Sequence, residues 1–364
     1  CCFVLEHGNP ARNPRSRSLS EETEELLVVD SRFKKALVAV GGAALLTASA
    51  VPVAAQEEGP LLYVINKSAD QQYFIDLQTA FVAKAEELGG SALKADAKLD
   101  PGLGVTLVDD AISAGAAGIA ITVPDQTIGP AISEAAAAAG VALVATDDGI
   151  VDSEGNPVPF VGFSGPDMGG KVGAEAARLL QEGGWLEDDA VTLGVLSTEV
   201  QTLSVCEDRT NASKAAMLEV GVAEDAIYQV PYTGETQSAQ DAAGPVITAH
   251  PDVTHWVVFA CNDEGVLGTL NALATQGVSP DNVIGVGLGA YEACKFWAAE
   301  QPSGFKGALF ISGQDVGAAA AQVLYDNVVN GVELPESTVA PTTIVGPDTY
   351  ADVFDEISLA NCSQ

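Results

Sequence analysis

The sequence predicts an α/β protein of two lobes, each built on a parallel sheet. From residue 61 onward, short β-branched runs alternate with longer amphipathic ones. The short runs are apolar almost throughout, as strands covered on both faces are. About a dozen such runs are too many for one comfortable sheet, so two lobes fit better. A hydrophobic content of 47% over 364 residues supplies the cores.

In chain order, strands are expected at 61–66, 118–122, 141–146, 191–197, 256–260, 283–287 and 307–311. Each is rich in Val, Ile, Leu, Ala or aromatic residues. Helices are expected between them at 74–88, 128–139, 172–180, 265–275 and 316–329, where apolar residues recur at helical spacing.

Open α/β sheets bind ligands outside the carboxyl ends of their strands. The segments there are Asn66-Lys67-Ser68 with Gln71-Gln72-Tyr73-Phe74, then Asp147-Asp148-Gly149, then Gly162-Phe163-Ser164. Further on come a loop ending in Glu207-Asp208-Arg209, then Cys261-Asn262-Asp263, then Leu288-Gly289-Ala290-Tyr291-Glu292. Charged, amide and aromatic groups therefore gather at one end of the sheets. Such a mixture suits a hydroxyl-rich guest, whose O–H groups need donors and acceptors and whose C–H faces pack on rings. Asp147, Asp263 and Ser164 could equally cap helices or shape turns. Lys67 and Arg209 stand out, because only ten cations lie beyond residue 55.

The net charge of −34 repels nucleic acid, anionic membrane and anionic ligands. Arg32, Lys34 and Lys35 precede an apolar stretch at 36–51, and Val53 and Ala55 sit three and one before Gln56. That order of basic, apolar and small residues reads as a secretory signal peptide within a leader of 1–55. No Cys stands at the cut, so a non-lipidated periplasmic or extracytoplasmic protein is expected. Residues 1–30 carry no interpretable pattern. Beyond the leader, Cys206, Cys261, Cys294 and Cys362 allow three pairings, and adjacent strand ends would let Cys261 bridge Cys294. His7, His250 and His255 lack metal-ligand spacing to the cysteines, and neither a metal nor a cofactor is expected.

Several separated segments carry a likeness to a known family. They are Ile227-Tyr228-Gln229-Val230-Pro231, His250-Pro251-Asp252-Val253, His255-Trp256, Asn262-Asp263, Val266-Leu267-Gly268 and Ile284-Gly285-Val286-Gly287. Asp147-Asp148 and Gly304-Phe305 match in place. From about residue 61 to about 354 the chain resembles the type I periplasmic sugar-binding proteins, receptors of ABC importers. The resemblance implies two Rossmann-like lobes joined by three crossover strands, at 56–163 plus 312–341 and at 164–311 plus 342–364. It implies that Lys67 donates to ring hydroxyls, Asp148 accepts from the anomeric hydroxyl, Arg209 reaches the ring oxygen or a neighbouring hydroxyl, and Asn262 bonds a hydroxyl from the second lobe. Tyr73 and Phe74 fall at aromatic positions against the sugar face, and Phe163 stands where a Met lines the pocket. Gln71 departs from an acidic acceptor, Gly289 from an Asn, and Glu207 and Asp208 from basic residues.

The expected function is hinge closure on a monosaccharide, an arabinose-like pentose or related hexose, by a monomer that docks on an ABC permease. A polyol or other small polar metabolite is the alternative ligand. Asp147, Asp148 and Glu292 could serve a glycosidase, but no Ser/His/Asp pattern or P-loop is present, and Gly285-Val286-Gly287-Leu288-Gly289 has the wrong spacing for a dinucleotide turn. An enzyme is not expected. A transcription regulator would need a basic helix-turn-helix where the leader stands. Mass spectrometry of the exported protein should find Gln56 as its first residue; retention of residues 31–55 would refute the cleavage.

Overall fold

The computed structural model describes residues 59–363; the expected leader lies outside them. The chain begins with β1 (Leu61–Asn66), α1 (Gln72–Glu87), β2 (Ser91–Asp96), α2 (Pro101–Ser113), β3 (Gly118–Ile121), α3 (Gly129–Ala139), β4 (Ala142–Thr146) and β5 (Phe160–Gly162). It continues through α4 (Gly165–Glu182), β6 (Leu193–Glu199), α5 (Ser204–Glu219), β7 (Ile227–Pro231), α6 (Thr236–Ala249) and β8 (His255–Ala260). Next come α7 (Asp263–Thr275), β9 (Val283–Gly289), α8 (Ala293–Ala298) and β10 (Phe305–Ile311). The last elements are α9 (Gly313–Asn330), β11 (Ser337–Val339), β12 (Thr342–Val345), α10 (Tyr350–Val353) and α11 (Glu356–Asn361).

These strands form two six-stranded sheets, in the orders β11-β5-β4-β3-β1-β2 and β12-β10-β9-β8-β6-β7. All pairings are parallel except that of β12 with β10. The chain passes from one sheet to the other after β5, after β10 and after β11, giving the two-lobed α/β architecture expected from the sequence.

All of the strands anticipated from the sequence are present, and each lies inside its sheet. The edge strands β2, β7, β11 and β12 do not show in the sequence because half-exposed strands lack a continuous apolar run. The loop expected before Arg209 is instead the first turns of α5. That helix buries Val205, Cys206, Arg209, Thr210, Ser213 and Met217, a face too small and polar to show as an apolar stripe.

Two helix pairs share one packing device. Helix α9 crosses α1 where Gly313 and Gly317 meet the backbones of Tyr73 and Leu77. Helix α4 crosses α5 where Gly169 and Gly173 meet the backbones of Arg209 and Ser213. In both pairs, the helix that follows a crossover lies against one that carries a residue of the cleft. Ser164 and Ser312 cap these crossover helices by accepting from the Asp167 and Asp315 amides at 3.4 and 3.0 Å.

The disulfides depart from the expected Cys261–Cys294 pairing. Cys206 bridges Cys261 and Cys294 bridges Cys362, with Cα separations of 4.8 and 5.2 Å. Strand β8 has β6 on one side and β9 on the other, and Cys261 turns towards α5, which follows β6. Cys294 instead meets the end of the C-terminal helix, which the strand-adjacency argument left out.

Gly317→Ala would drive a methyl into the Leu77 carbonyl oxygen, where neither backbone can yield easily. It should destabilise the protein by about 1–3 kcal/mol, read from the urea midpoint. An unchanged midpoint would mean the seam is slack.

Candidate functional site

A cavity of about 530 Å³ lies between the carboxyl ends of the two sheets. Of the residues singled out in the sequence, Lys67, Gln71, Tyr73, Phe74, Asp147, Arg209 and Asn262 line it. Lys67 leaves the end of β1, Asp147 the end of β4, and Asn262 the end of β8, while Arg209 projects from the second turn of α5.

A chain of buried charges crosses the cleft. Arg209 donates from Nη2 to Asp147 Oδ1 at 3.3 Å. Lys67 Nζ lies 3.8 Å from the other Asp147 oxygen and donates a hydrogen bond to Asp148 Oδ2. Lys67 also stands 5.4 Å from the centre of the Phe74 ring. Asp147 adopts a left-handed backbone (φ 58°), which Asp tolerates better than most residues. Asp148 is fully buried beside it. Burial pushes the Asp148 carboxyl up from its ordinary value, against the pull of Lys67.

Asn262 caps α7, accepting from the Gly265 amide at 2.9 Å and from the Tyr232 hydroxyl, and donates to the Gly234 carbonyl at 3.0 Å. Gln71 donates to that same carbonyl from the opposite sheet at 3.2 Å. The Ser204 amide donates to Gln126 Oε1 at 2.7 Å, also across the cleft.

Three of the expected residues are not on the wall. Asp148 sits behind Lys67. The Phe163 ring packs 6.3 Å from that of Tyr73, which stands between it and the cleft. Glu292 is turned to Lys295, 2.9 Å away. Asp263, Glu264, Tyr232 and Tyr291 also line the cavity, and of these only Asp263 and Tyr291 fall in the strand-end segments singled out from the sequence. Tyr291 is visible in the sequence at a strand end. Tyr232 follows β7, an unread strand, and Asp263 reads from sequence as a cap. It is a cap: Oδ2 accepts from the Glu292 and Ala293 amides at 2.9 and 3.4 Å.

Buried polar atoms without a hydrogen-bond partner gather here. Tyr73 OH, Arg209 Nε and Asp263 Oδ1 belong to wall residues, and Asp148 Oδ1 lies just behind. Buried groups of this kind are rare unless something outside the chain completes them. Burial, with Asp147 close by, raises the Tyr73 hydroxyl well above its ordinary value. Burial lifts Asp263 to about 6 and, together with the neighbouring Asp263 charge, Glu264 to about 8. Among the described residues no cluster of His, Cys, Asp and Glu could hold a metal ion, and no helix is long and apolar enough to cross a membrane.

Two α/β lobes meet over a largely apolar cavity crossed by a chain of buried charges, and comparison with known proteins places this arrangement in a family. The chain belongs to the periplasmic binding protein family, whose domain matches residues 62–331. It is 30% identical to the L-arabinose-binding periplasmic protein of Escherichia coli (strain K12) over 334 residues, which covers 90% of this chain and 98% of that one. It is 32% identical to the ABC transporter L-arabinose-binding periplasmic protein of Azospirillum brasilense over 291 residues, 78% of this chain and 86% of that one. In three dimensions it is similar to the Caulobacter myo-inositol binding protein bound to myo-inositol. There the TM-score is 0.68 at 17% identity, over 80% of this chain and 95% of that one.

The raised carboxyls set a pH dependence. A folded-state value above the unfolded one contributes stability that is fully present below the unfolded value and is lost as pH rises through the folded value. For Asp263 that window runs from its ordinary 3.8 to about 6. For Glu264 it runs from 4.5 to about 8. The stability of the native protein relative to Asp263→Asn should therefore fall between about pH 4 and 6, and relative to Glu264→Gln between about pH 4.5 and 8. Urea melts across that range would show it; a flat difference would refute the burial argument.

Proposed function

We propose that the protein is the extracytoplasmic solute receptor of an ABC sugar importer and that it binds one monosaccharide without altering it. The arrangement that carries this reading is the convergence of groups from both sheets on one cavity, with hydrogen-bonding capacity left over at Tyr73, Arg209 and Asp263. Lys67 and Asp147 meet the sugar's hydroxyls from the first lobe, with Asp148 behind them holding the Lys67 ammonium. Arg209 and the free amide hydrogen of Asn262 meet it from the second. Tyr73 and Phe74, edge to face with ring centres 5.0 Å apart, offer apolar surface to its C–H groups. Only a closed cleft lets both half-sites touch one ligand, so the sugar stabilises closure and the permease reads the closed form.

The lobes of this reading are 56–163 plus 312–341 and 164–311 plus 342–364, with a signal peptide ahead of them. An arabinose-like pentose or a related hexose is the ligand that the names of the sequence relatives support. The Caulobacter neighbour, a myo-inositol binding protein, keeps a polyol as the second reading.

A thermal-shift panel of pentoses, hexoses, inositols and amino acids separates these readings, since a ligand that binds only the folded state raises the melting temperature. A sugar should give the largest shift. With that sugar, Arg209→Ala should weaken binding more than about tenfold, the loss of a charge-assisted hydrogen bond, and Asp148→Ala should do the same by freeing the Lys67 ammonium that it holds in place. No shift with any sugar, or unchanged calorimetric affinity in both variants, would overturn the assignment.

A further inference from the structure

The Cys206–Cys261 disulfide lies in the wall of the cavity, since both of its residues line it. Both are almost wholly buried, at 1% and 4% exposure. Cys206 belongs to the first turn of α5, and Arg209 follows it by three residues, on the same helical face. Cys261 immediately follows β8, and Asn262 is the next residue in the chain. The bridge thus joins the two segments from which the second lobe presents its ligand-facing groups.

Within its own lobe the start of α5 is held by this bridge, by the glycine seam with α4 and by a small apolar cluster of Leu203, Val205, Tyr232 and Ala239, with no side-chain cap. Its N-cap is Leu203, whose side chain offers no cap, whereas α4, α7 and α9 are capped by Ser164, Asn262 and Ser312. The approach to α5 at Gln201 and Thr202 is exposed. Arg209 rests directly on the bridge: Nη1 donates to the Cys261 carbonyl at 3.0 Å and contacts its sulfur at 3.7 Å. Its pair with Asp147 across the cleft is 3.3 Å long, a contact that a small drift of α5 would break.

We propose that the Cys206–Cys261 disulfide is a positioning element of the binding site. It locks the first turn of α5 to the end of β8, so that Arg209 and Asn262 form one preset surface. Binding groups must be held to about 0.5 Å to work together, and presetting them removes an ordering cost from binding. The second bridge, Cys294–Cys362, ties α8 to the C-terminal helix away from the cavity wall and serves as the internal control. The part of this inference that concerns affinity rests on the sugar-receptor reading.

The test compares Cys206→Ala/Cys261→Ala with Cys294→Ala/Cys362→Ala, using L-arabinose as the calorimetric probe. Both pairs should lower the melting temperature, but only the first should weaken binding, by about tenfold, while the second stays within about twofold. Arg209→Ala should also lose less affinity in the first background than in the native protein, because groups acting through one another are not additive. Unchanged affinity without Cys206–Cys261, or an Arg209→Ala loss that is the same in both backgrounds, would overturn the proposal. If L-arabinose does not bind the native protein, the choice of arabinose as the ligand fails separately, and amide exchange of the ligand-free protein decides. Exchange at 205–209 and 262–266 should quicken in the first variant alone, and unaltered exchange there would overturn the inference.

Discussion

The cleft depends on Asp147 being shared. One carboxylate oxygen takes Arg209 from the second lobe, and the other faces Lys67 from the first. Ionised groups this deep must be paired, and beyond residue 55 the chain has only ten cations with which to pair them. Two of those ten stand in the cleft. Their presence against so acidic a background is the clearest mark that this place differs from the rest of the surface. Desolvation of a buried ion pair offsets most of its attraction, so the pair adds little net stability of its own. Beside it stand buried polar atoms without partners, at Tyr73, Arg209 and Asp263.

Seven of the eight interior strands were legible because they have no polar face to hide; the exception, β5, is only three residues long. The edge strands were not: β2 reads Ser-Ala-Leu-Lys-Ala-Asp and β11 only Ser-Thr-Val. Helix α5 failed for a related reason. Its buried face includes Cys206, Arg209, Thr210 and Ser213, and glycines on α4 supply the close fit that large apolar side chains supply elsewhere. Apolar periodicity detects burial of oily groups. It cannot detect a helix buried by backbone-to-backbone approach.

The candidate site was legible as a set of strand ends and less so as a set of side chains. Lys67 and Arg209 could be found by the scarcity of cations alone. The choice between Asp147 and Asp148 could not, since a left-handed turn at Asp147 decides which carboxylate meets the cleft and no residue type reveals it. Asp263 shows a different limit. Capping and lining read as alternatives, yet Asp263 does both: one oxygen holds the amides of the α8 turn while the residue lines the cavity, and the other oxygen is buried against Gly287 without a hydrogen-bond partner. Glu292 occupies that same turn, but there its backbone amide is what is used, and its side chain turns to Lys295.

The glycine seams bear on how such a site could respond to a ligand. Gly313 touches the backbone of Tyr73, and Gly169 touches that of Arg209. Each glycine lies in the first turns of a helix that emerges from a crossover between the sheets. Contacts this close leave no slack to absorb a displacement, because packed interiors transmit strain rather than damp it. If the lobes swing about the crossovers, α9 must carry Tyr73 with it, and α4 must carry Arg209. These two residues of the cavity wall would then move as parts of rigid bodies. A small rotation at the crossovers would bring Tyr73 and Arg209 together or apart across the cavity, and a ligand held by both would fix that rotation.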